Sequence, residues 1–362
     1  MKIKNIFFAA ILVLAGFSCS MEDDAIMNDV EKGIEEATEA YTVLDFGVAF
    51  NEMATKASTT VVPGEDRPAT GDENNDEKKI SEVSVFLLED GKVIGILIPQ
   101  NRNQVSSNSD GSITLKDLKF VTKYKTNRTL EAHVVINGNQ FLKNINIGDA
   151  QSALNQQISG CLSADQLIKY GSTRIVFGKD ITNSYSSPSV AENNPTTILV
   201  KVSHVAARLD FSQFDVTLKG FEGDPTVVFD EAKFVNLQQN GKIVEGDASV
   251  NVKDGAFLNR SNRIGTRWTD MGTAYGYANQ YRQDSEMNTA LYVKFTVDGR
   301  TFEKTYPINP AGITKEVDHN GIKGGYLYDI KVRWTITPDW GDSTIEFYTR
   351  DWVHNSIPEI VL

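Results

Sequence analysis

Cys19 is the residue near the N-terminus whose type and position could support covalent chemistry, the acylation of its thiol. It follows a basic start, the apolar run of residues 6–14 and several small residues, an arrangement typical of a secretion signal. The sequence therefore predicts a signal peptide at residues 1–18. Gly16 and Phe17 depart from a standard bacterial lipobox, so an ordinary signal peptide with an incidental cysteine is the alternative to a lipoprotein.

The segment that follows Cys19 differs electrostatically from the rest of the chain. Residues 19–56 contain ten acidic residues and two lysines. The composition predicts a solvated tether or a short helix outside the core. Directly after a lipidated cysteine, such a stretch also resembles the surface-export signal of Bacteroidetes lipoproteins, and a plain acidic linker is the alternative. Acyl chains on Cys19 would hold the exported chain at a membrane surface.

No constellation of catalytic or metal-ligating residues stands out elsewhere in the sequence. His133, His204, His319 and His354 are scattered and form no HExxH motif. GxSxG elbows, GxxxxGK[ST] loops and GxGxxG after a strand are also missing. We therefore predict no metal, no cofactor and no enzymatic activity. A glycan hydrolase with paired carboxylates is the enzymatic alternative, since sequence spacing does not exclude it.

Charge and cysteine content narrow the class of protein further. The formal net charge of −12 argues against nucleic-acid binding, which depends on neutralising phosphates. Cys161 is the second of two cysteines, so no intrachain disulfide can form once Cys19 is acylated. Stability must then come from buried apolar surface. Cys161 has no basic neighbour in sequence, which favours a small buried residue over a reactive thiol.

An alternating pattern near the N-terminus predicts a half-buried β-strand at residues 41–50. Leu44, Phe46, Val48 and Phe50 occupy every second position, and small or polar residues lie between them. The acidic, Pro- and Gly-containing stretch of residues 63–79 then predicts a flexible loop.

Short apolar runs from residue 80 onward predict an all-β chain with few short helices. Dipeptides that favour tight hairpins separate many of these runs. Helices are expected only at residues 148–159 and 162–171, where Ser163 could cap the second one. The hairpin dipeptides are Asp90-Gly91, Asn137-Gly138, Asn240-Gly241 and Asp298-Gly299.

Residues 181–197 are rich in Ser, Asn and Pro and indicate a domain junction. The strand-rich segments on either side predict two β-sandwich domains in series, at residues 57–190 and 191–362, with transthyretin-like or Greek-key connections. No repeat of solenoid type is present, so each sandwich is expected to have its own core.

Several features occur in a fixed order over nearly the whole chain. They are the signal with Cys19, a strand ahead of a basic residue, the segments EVSVFLLEDGKVIG, EAHVVINGNQ and VKVSHVAARLDF, and a C-terminal pair of strands that contains tryptophan. In this order they resemble the fimbrillins of Bacteroidales, the major and minor subunits of the type V pilus. The resemblance implies export as a lipoprotein to the outer membrane and cell surface, processing by a trypsin-like protease, and assembly into a fimbrium.

The resemblance also implies that residues 19–56 form a removable pro-segment. Its strand at residues 41–50 would plug a groove in the first sandwich until the segment is cut away. The family's protease is typically Arg-specific, but the first arginine here, Arg67, is followed by proline. Cleavage is therefore expected between Lys56 and Ala57 by a Lys-tolerant protease, with a cut elsewhere or no cut as alternatives.

By the same resemblance, residues 343–362 supply the donor strands that fill the groove of another subunit. Added strands gain affinity from backbone hydrogen bonds, and a head-to-tail contact propagates as a filament. Trp352 is expected to anchor a pocket, and an ordinary core position is its alternative. The candidate donor side chains are Ile345, Phe347, Trp352, Ile357, Ile360 and Leu362.

The expected role is a structural shaft subunit that polymerises by protease-triggered donor-strand exchange and supports adhesion. Its expected partners are other fimbrial subunits, chiefly further copies of the same chain, the maturation protease, membrane lipid before processing, and a host or bacterial surface receptor. A tip or accessory adhesin and a lipid-retained anchor subunit are the alternative roles for the same fold.

Overall fold

The computed structural model of the chain describes residues 39–50, 75–109, 111–244, 246, 248–259, 263–309, 320–339, 341–351 and 359–360. Apart from Glu39, these residues belong to one compact unit, Ala40–Leu362. Strands dominate this unit, so the predicted all-β class is confirmed.

The strands follow one another at short intervals along the chain. They are β1 (Tyr41–Phe50), β2 (Lys79–Ile80), β3 (Val83–Glu89), β4 (Lys92–Leu97), β5 (Val105–Ser107), β6 (Ile113–Lys123), β7 (Thr129–Ile136), β8 (Gln157–Ser159), β9 (Lys169–Val176), β10 (Thr196–His204), β11 (Ala207–Leu218), β12 (Val227–Val235), β13 (Leu237–Gln238), β14 (Asn240–Lys242), β15 (Val252–Lys253), β16 (Phe257–Asn259), β17 (Arg263–Ile264), β18 (Arg267–Gly276), β19 (Asn279–Gln280), β20 (Ala290–Val297), β21 (Arg300–Pro307), β22 (Gly321–Ile322), β23 (Tyr326–Ile336), β24 (Gly341–Asp351) and β25 (Glu359–Ile360).

The helical segments are short. They comprise α1 (Asn139–Leu142), α2 (Pro188–Glu192) and the 3₁₀ turns Asn75–Lys78, Arg102–Gln104, Gln151–Leu154 and Ala164–Gln166. The helices predicted at residues 148–159 and 162–171 are wrong, because each segment holds a single 3₁₀ turn and then enters a strand, β8 or β9. Short helices are unstable in isolation, and Ser163 makes no side-chain cap hydrogen bond. Strand pairing therefore decides the backbone there.

The N-terminal sheet has eight strands in the order β4-β3-β7-β9-β10-β1-β6-β5. Residues from both of its halves, such as Val85 of β3 and Leu115 of β6, share one buried core with the apolar side chains of β1. The sheet therefore folds over on itself and packs one half against the other, as in a β-sandwich.

The connection between the N-terminal and C-terminal sheets lies later than the residue 190 boundary. β10 pairs with β1 and with β9, so it belongs to the N-terminal sheet. The next strand, β11, belongs to another sheet. The change of sheet therefore falls at residues 205–206. β10 lies in the N-terminal sheet because it is the parallel partner of β1. The division into two domains itself stays a prediction.

The C-terminal part contains two larger sheets, in the orders β18-β11-β23-β24 and β16-β12-β20-β21. Their apolar faces share one core that is rich in aromatic rings. The ring of Phe214 lies 5.4 Å from Phe229, 5.3 Å from Trp268 and 5.2 Å from Phe295, measured between centroids. Each such aromatic pair contributes about 0.5–1.5 kcal/mol to stability beyond the free energy gained by burying its surface. Two facing sheets around one core form a β-sandwich.

Two of the four hairpin dipeptides form the turns that the sequence predicts. Asp90 and Gly91 have φ values of 50° and 71° between β3 and β4. Asp298 and Gly299 have φ values of 47° and 83° between β20 and β21. Positive φ at both central residues is the requirement of a type I′ turn. The other two predictions are wrong: Asn137-Gly138 leads from β7 into α1, and Asn240-Gly241 lies inside β14.

Candidate functional site at strand β1

β1 occupies an interior position of the N-terminal sheet although it comes first among the described strands. It runs parallel to β10, with pairs from Leu44↔Thr196 to Phe50↔Val202. On its other side it runs antiparallel to β6, with Tyr41 opposite Lys123 and a bulge after Leu44. Removing β1 would therefore expose the edges of two strands at once.

The core-facing side chains of β1 are those of the predicted alternating set. Leu44, Phe46 and Val48 are fully buried and Phe50 is nearly so. They contact the core that β3, β6, β7 and β10 share. Burying such side chains contributes roughly 1.5–3 kcal/mol each. The strand is more deeply buried than the pattern predicts, and its removable role stays a prediction.

The outer face of β1 is covered as well. Val43 has no exposed surface, and α2 packs against β1 and β6. Ala191 of α2 is also fully buried. The ammonium group of Lys119 on β6 donates a 2.7 Å hydrogen bond to the carbonyl oxygen of Glu192, the last residue of α2. The sequence predicts a domain junction at residues 181–197. This segment thus includes α2, which covers the outer face of β1.

Two polar side chains of β1 fit their surroundings poorly. Within the described part of the chain, neither the buried Oγ1 atom of Thr42 nor the buried Oδ1 atom of Asp45 has a hydrogen-bond partner. A buried polar atom without a partner costs about 1–3 kcal/mol. The alternating pattern places Asp45 on the solvent side of a half-buried strand, so it does not reveal this cost. β1 is therefore held less tightly than its apolar contacts alone imply.

Several predicted site residues lie outside the described residues. They include the signal peptide at residues 1–18 and all of residues 51–74, hence the predicted cleavage site. The next described element after β1 is the 3₁₀ turn Asn75–Lys78. The individual positions concerned are Cys19, Lys56, Ala57, Trp352, Ile357 and Leu362.

The described C-terminal strands lie in two different places. β24, which contains Ile345 and Phe347, pairs antiparallel with β23 over its whole length, from Tyr326↔Asp351 to Ile336↔Gly341. It is the last strand of its sheet and has β23 as its neighbour there. β25, which contains Ile360, pairs in parallel with β2. The predicted donor residues are therefore not gathered into one strand.

A buried ionic cluster fixes the chain just after residues 51–74. Glu77 has no exposed side-chain surface, and its Oε2 atom lies 3.0 Å from Nη1 of Arg208 on β11. The hydroxyl of Tyr275 donates a hydrogen bond to the Oε1 atom of Glu77. Lys169 of β9 donates a 2.9 Å hydrogen bond to the backbone carbonyl oxygen of Glu77. The cluster thus joins strands of the N-terminal and C-terminal sheets. Spacing in the sequence gives no sign of it.

An open cleft of about 980 Å³ lies beside the β3–β4 hairpin and the turn between β6 and β7. Arg128 is fixed within it, because its Nε and Nη2 atoms donate to the Glu89 carboxylate at 2.6 and 2.7 Å. This hydrogen bond lowers the pKa of Glu89. The charged lining residues are of both signs, so the cleft defines no ligand class. They are Glu89, Asp90, Lys123, Lys125, Arg128, Glu131 and Arg174.

The described histidines do not gather into a metal site. His133 is buried, with Nδ1 2.8 Å from the hydroxyl of Tyr170, and His204 is buried on β10. His319 and His354 lie outside the described residues. Within the part of the chain that the structure describes, no group of three His, Cys, Asp or Glu side chains could hold a metal ion. No helix in that part is both long and apolar enough to cross a membrane.

No protein-family model matches the sequence, and no curated protein matches it. Among solved structures, the chain is similar to a candidate cell adhesion protein from Parabacteroides distasonis, with a TM-score of 0.59 and 17% identity over 88% of this chain and 99% of that chain. This comparison shows a shared fold.

Two further solved structures overlap less well. A fimbrilin from Porphyromonas gingivalis gives a TM-score of 0.47 and 15% identity, over 86% of this chain and 98% of that chain. The tip fimbrial protein Mfa3 from the same organism, with a C-terminal truncation, gives a TM-score of 0.47 and 11% identity, over 86% of this chain and 100% of that chain.

Proposed function

We propose that the chain is a non-enzymatic structural subunit of a bacterial surface fimbrium, assembled by exchange of β1 for a strand of another subunit. The observation that carries the proposal is the interior position of β1 between β10 and β6. A strand near the N-terminus that completes a sheet can be removed without cutting the sheet's other strands. The fold shared with a candidate cell adhesion protein supports a role at the cell surface.

The groove that β1 would leave is suited to accept an added strand. β10 offers backbone groups opposite residues 44–50, and β6 offers them on the other side. An incoming strand gains affinity from these groups and specificity from the sites that Leu44, Phe46, Val48 and Phe50 fill. Open strand edges also promote aggregation. A built-in plug strand therefore protects the subunit before assembly.

Cleavage between Lys56 and Ala57 makes the exchange possible. Before the cut, β1 is tethered to the rest of the chain, so its effective concentration at the groove is high. After the cut, noncovalent contacts alone retain it, and the buried polar atoms of Thr42 and Asp45 weaken them. Loss of the segment that carries Cys19 also frees the subunit from its lipid anchor.

Residues 343–362 then act as the donor segment toward another subunit, which makes the protein a shaft subunit. Among the described strands, β24 pairs in its sheet with β23, so its release breaks that row of hydrogen bonds. A tip or accessory adhesin is the second candidate. The complete pairing of β24 within its own sheet favours this role, because a tip subunit needs no outgoing strand.

Limited proteolysis of the chain without its signal and Cys19 tests the proposal. Trypsin is expected to produce a new N-terminus at Ala57, followed by filaments in electron micrographs. Lys56→Gln is expected to abolish both, and Lys125→Gln, which changes an exposed lysine of the cleft, to abolish neither. A chain that is cut at Lys56, keeps its C-terminus and stays monomeric contradicts a shaft role.

A further inference from the structure

Gly47 lies at the centre of β1 on the face away from the core. It pairs with Leu199 of β10 and with Thr114 of β6. A Cβ atom added at this position would lie 3.2 Å from the carbonyl oxygen of Ile113 and 3.2 Å from Cδ1 of Leu199. Gly47 is not among the glycines with positive φ, so the backbone conformation does not require glycine here. The close neighbours, and not the backbone conformation, therefore restrict position 47 to a small residue.

The two obstacles at Gly47 differ in how far they can move. Leu199 is 53% exposed, so its side chain can rotate into solvent. The Ile113 carbonyl belongs to the main chain of β6, which pairs with β1 at Val48 and with β5 at Ser107. A backbone that is paired on both sides shifts less readily than an exposed side chain. A methyl group is then a tight fit at position 47, and a branched side chain does not fit.

We infer that the groove accepts only a strand with glycine, or at most alanine, in the register of Gly47. The inference rests on the proposed function and names the chemistry of its partner. The incoming segment has large apolar residues at the sites of Leu44, Phe46, Val48 and Phe50 and a small residue between the second and the third. Selection through a steric clash is a common way to exclude wrong partners.

Variants of the intact chain test the steric requirement without any exchange. Gly47→Val is expected to speed amide hydrogen exchange in residues 44–50 by about tenfold or more, as overpacking does. Ala49→Val, on the same face of β1 two residues further on, is the matched control and is expected to leave the rate within about threefold. Equal rates in the two variants overturn the inference.

Synthetic peptides test the same point on the unmutated chain after cleavage at Lys56. A peptide of residues 41–50 and its Ala49→Val form are expected to enter the groove, as detected by native mass spectrometry. The Gly47→Val form is expected to bind at least about tenfold more weakly. Equal uptake of the Gly47→Val form overturns the inference. Filaments that fail to form while this order of peptide affinities holds contradict the proposed function alone.

Discussion

The backbone N–H of Tyr41 donates a 2.8 Å hydrogen bond to the carbonyl oxygen of Tyr185, and the N–H of Tyr185 donates back to Tyr41 at 2.8 Å. This reciprocal pair joins the start of β1 to the segment that leads into α2. We call residues 185–192 the strap, because α2 continues over the outer face of β1 and β6. We therefore expect the strap to restrain the departure of β1 from the sheet.

Loosening the strap is expected to speed the release of β1. Ala191→Asp places a carboxylate at a fully buried position of α2, and such burial is costly without a partner. Hydrogen exchange in residues 42–50 should rise at least about fivefold, which corresponds to about 1 kcal/mol of local stability. Filaments should also form sooner after cleavage.

Val190→Asp is the matched control for the strap, because Val190 lies next to Ala191 but is 45% exposed. It is expected to leave the exchange of β1 unchanged. If the two variants behave alike, the strap does not restrain β1.

Removal of the Glu77 carboxylate is expected to destabilise the whole unit. Glu77→Ala removes one carboxylate partner of the buried Arg208 guanidinium and leaves its contact with Asp210. Breaking a buried pair on one side costs up to about 3–5 kcal/mol, and the remaining contact of Arg208 with Asp210 reduces this loss. Urea denaturation measures the loss. Glu77→Gln, which keeps an oxygen acceptor for the hydroxyl of Tyr275, should lose less.

An exposed acid in the same 3₁₀ turn supplies the control for Glu77. Asp76 lies 2.7 Å from Lys79, and its side chain is 52% exposed. Asp76→Ala is expected to cost less than about 1 kcal/mol, as exposed pairs do. A Glu77→Ala loss no larger than this would contradict a stabilising role for the Glu77 carboxylate.

His133 is expected to make stability fall as the pH drops below neutrality. Burial lowers the pKa of His133, although Glu131 opposes the shift. The unfolded chain, with a histidine pKa of about 6.5, then binds the proton more readily than the folded one. The contribution of His133 is therefore complete above that pKa and is lost as the pH falls toward the folded pKa.

Urea unfolding between pH 7 and pH 5 measures this effect. His133→Gln should flatten the dependence of the unfolding free energy on pH, whatever it does to the stability at pH 7. The readout is the slope, because Tyr170 loses a hydrogen-bond partner in the variant as well. A slope equal to that of the unmutated chain contradicts the assignment.

Local signals in the sequence predict the strands and turns that depend on neighbouring residues. The alternation of Leu44, Phe46, Val48 and Phe50 gives β1, and Asp90-Gly91 gives a type I′ hairpin. Asn240-Gly241 is a similar local signal with a different outcome. An added Cβ on Gly241 would lie 2.5 Å from the ring of Tyr277, so this glycine permits a close approach and not a turn.

Long-range pairing is what the sequence does not reveal. β10 pairs with β1 across about 150 residues of chain, and no local pattern specifies a parallel partner so distant. The strap has the composition of a linker and yet packs on β1. Glu77 lies in an acidic segment predicted to be a solvated loop, but Arg208 and Lys169 reach it from remote strands. These contacts depend on the assembled sheets.

A reversible cross-link between β1 and β10 tests whether assembly requires the exchange of β1. Ala49 lies opposite Lys201 in the parallel pair. In a chain without Cys19 and with Cys161→Ser, the substitutions Ala49→Cys and Lys201→Cys can form a disulfide that keeps β1 in place after cleavage at Lys56. Filament formation is measured by electron microscopy with and without reductant. We expect no filaments from the oxidised protein and filaments once it is reduced. Filaments of equal yield from the oxidised, fully cross-linked protein contradict assembly by exchange of β1.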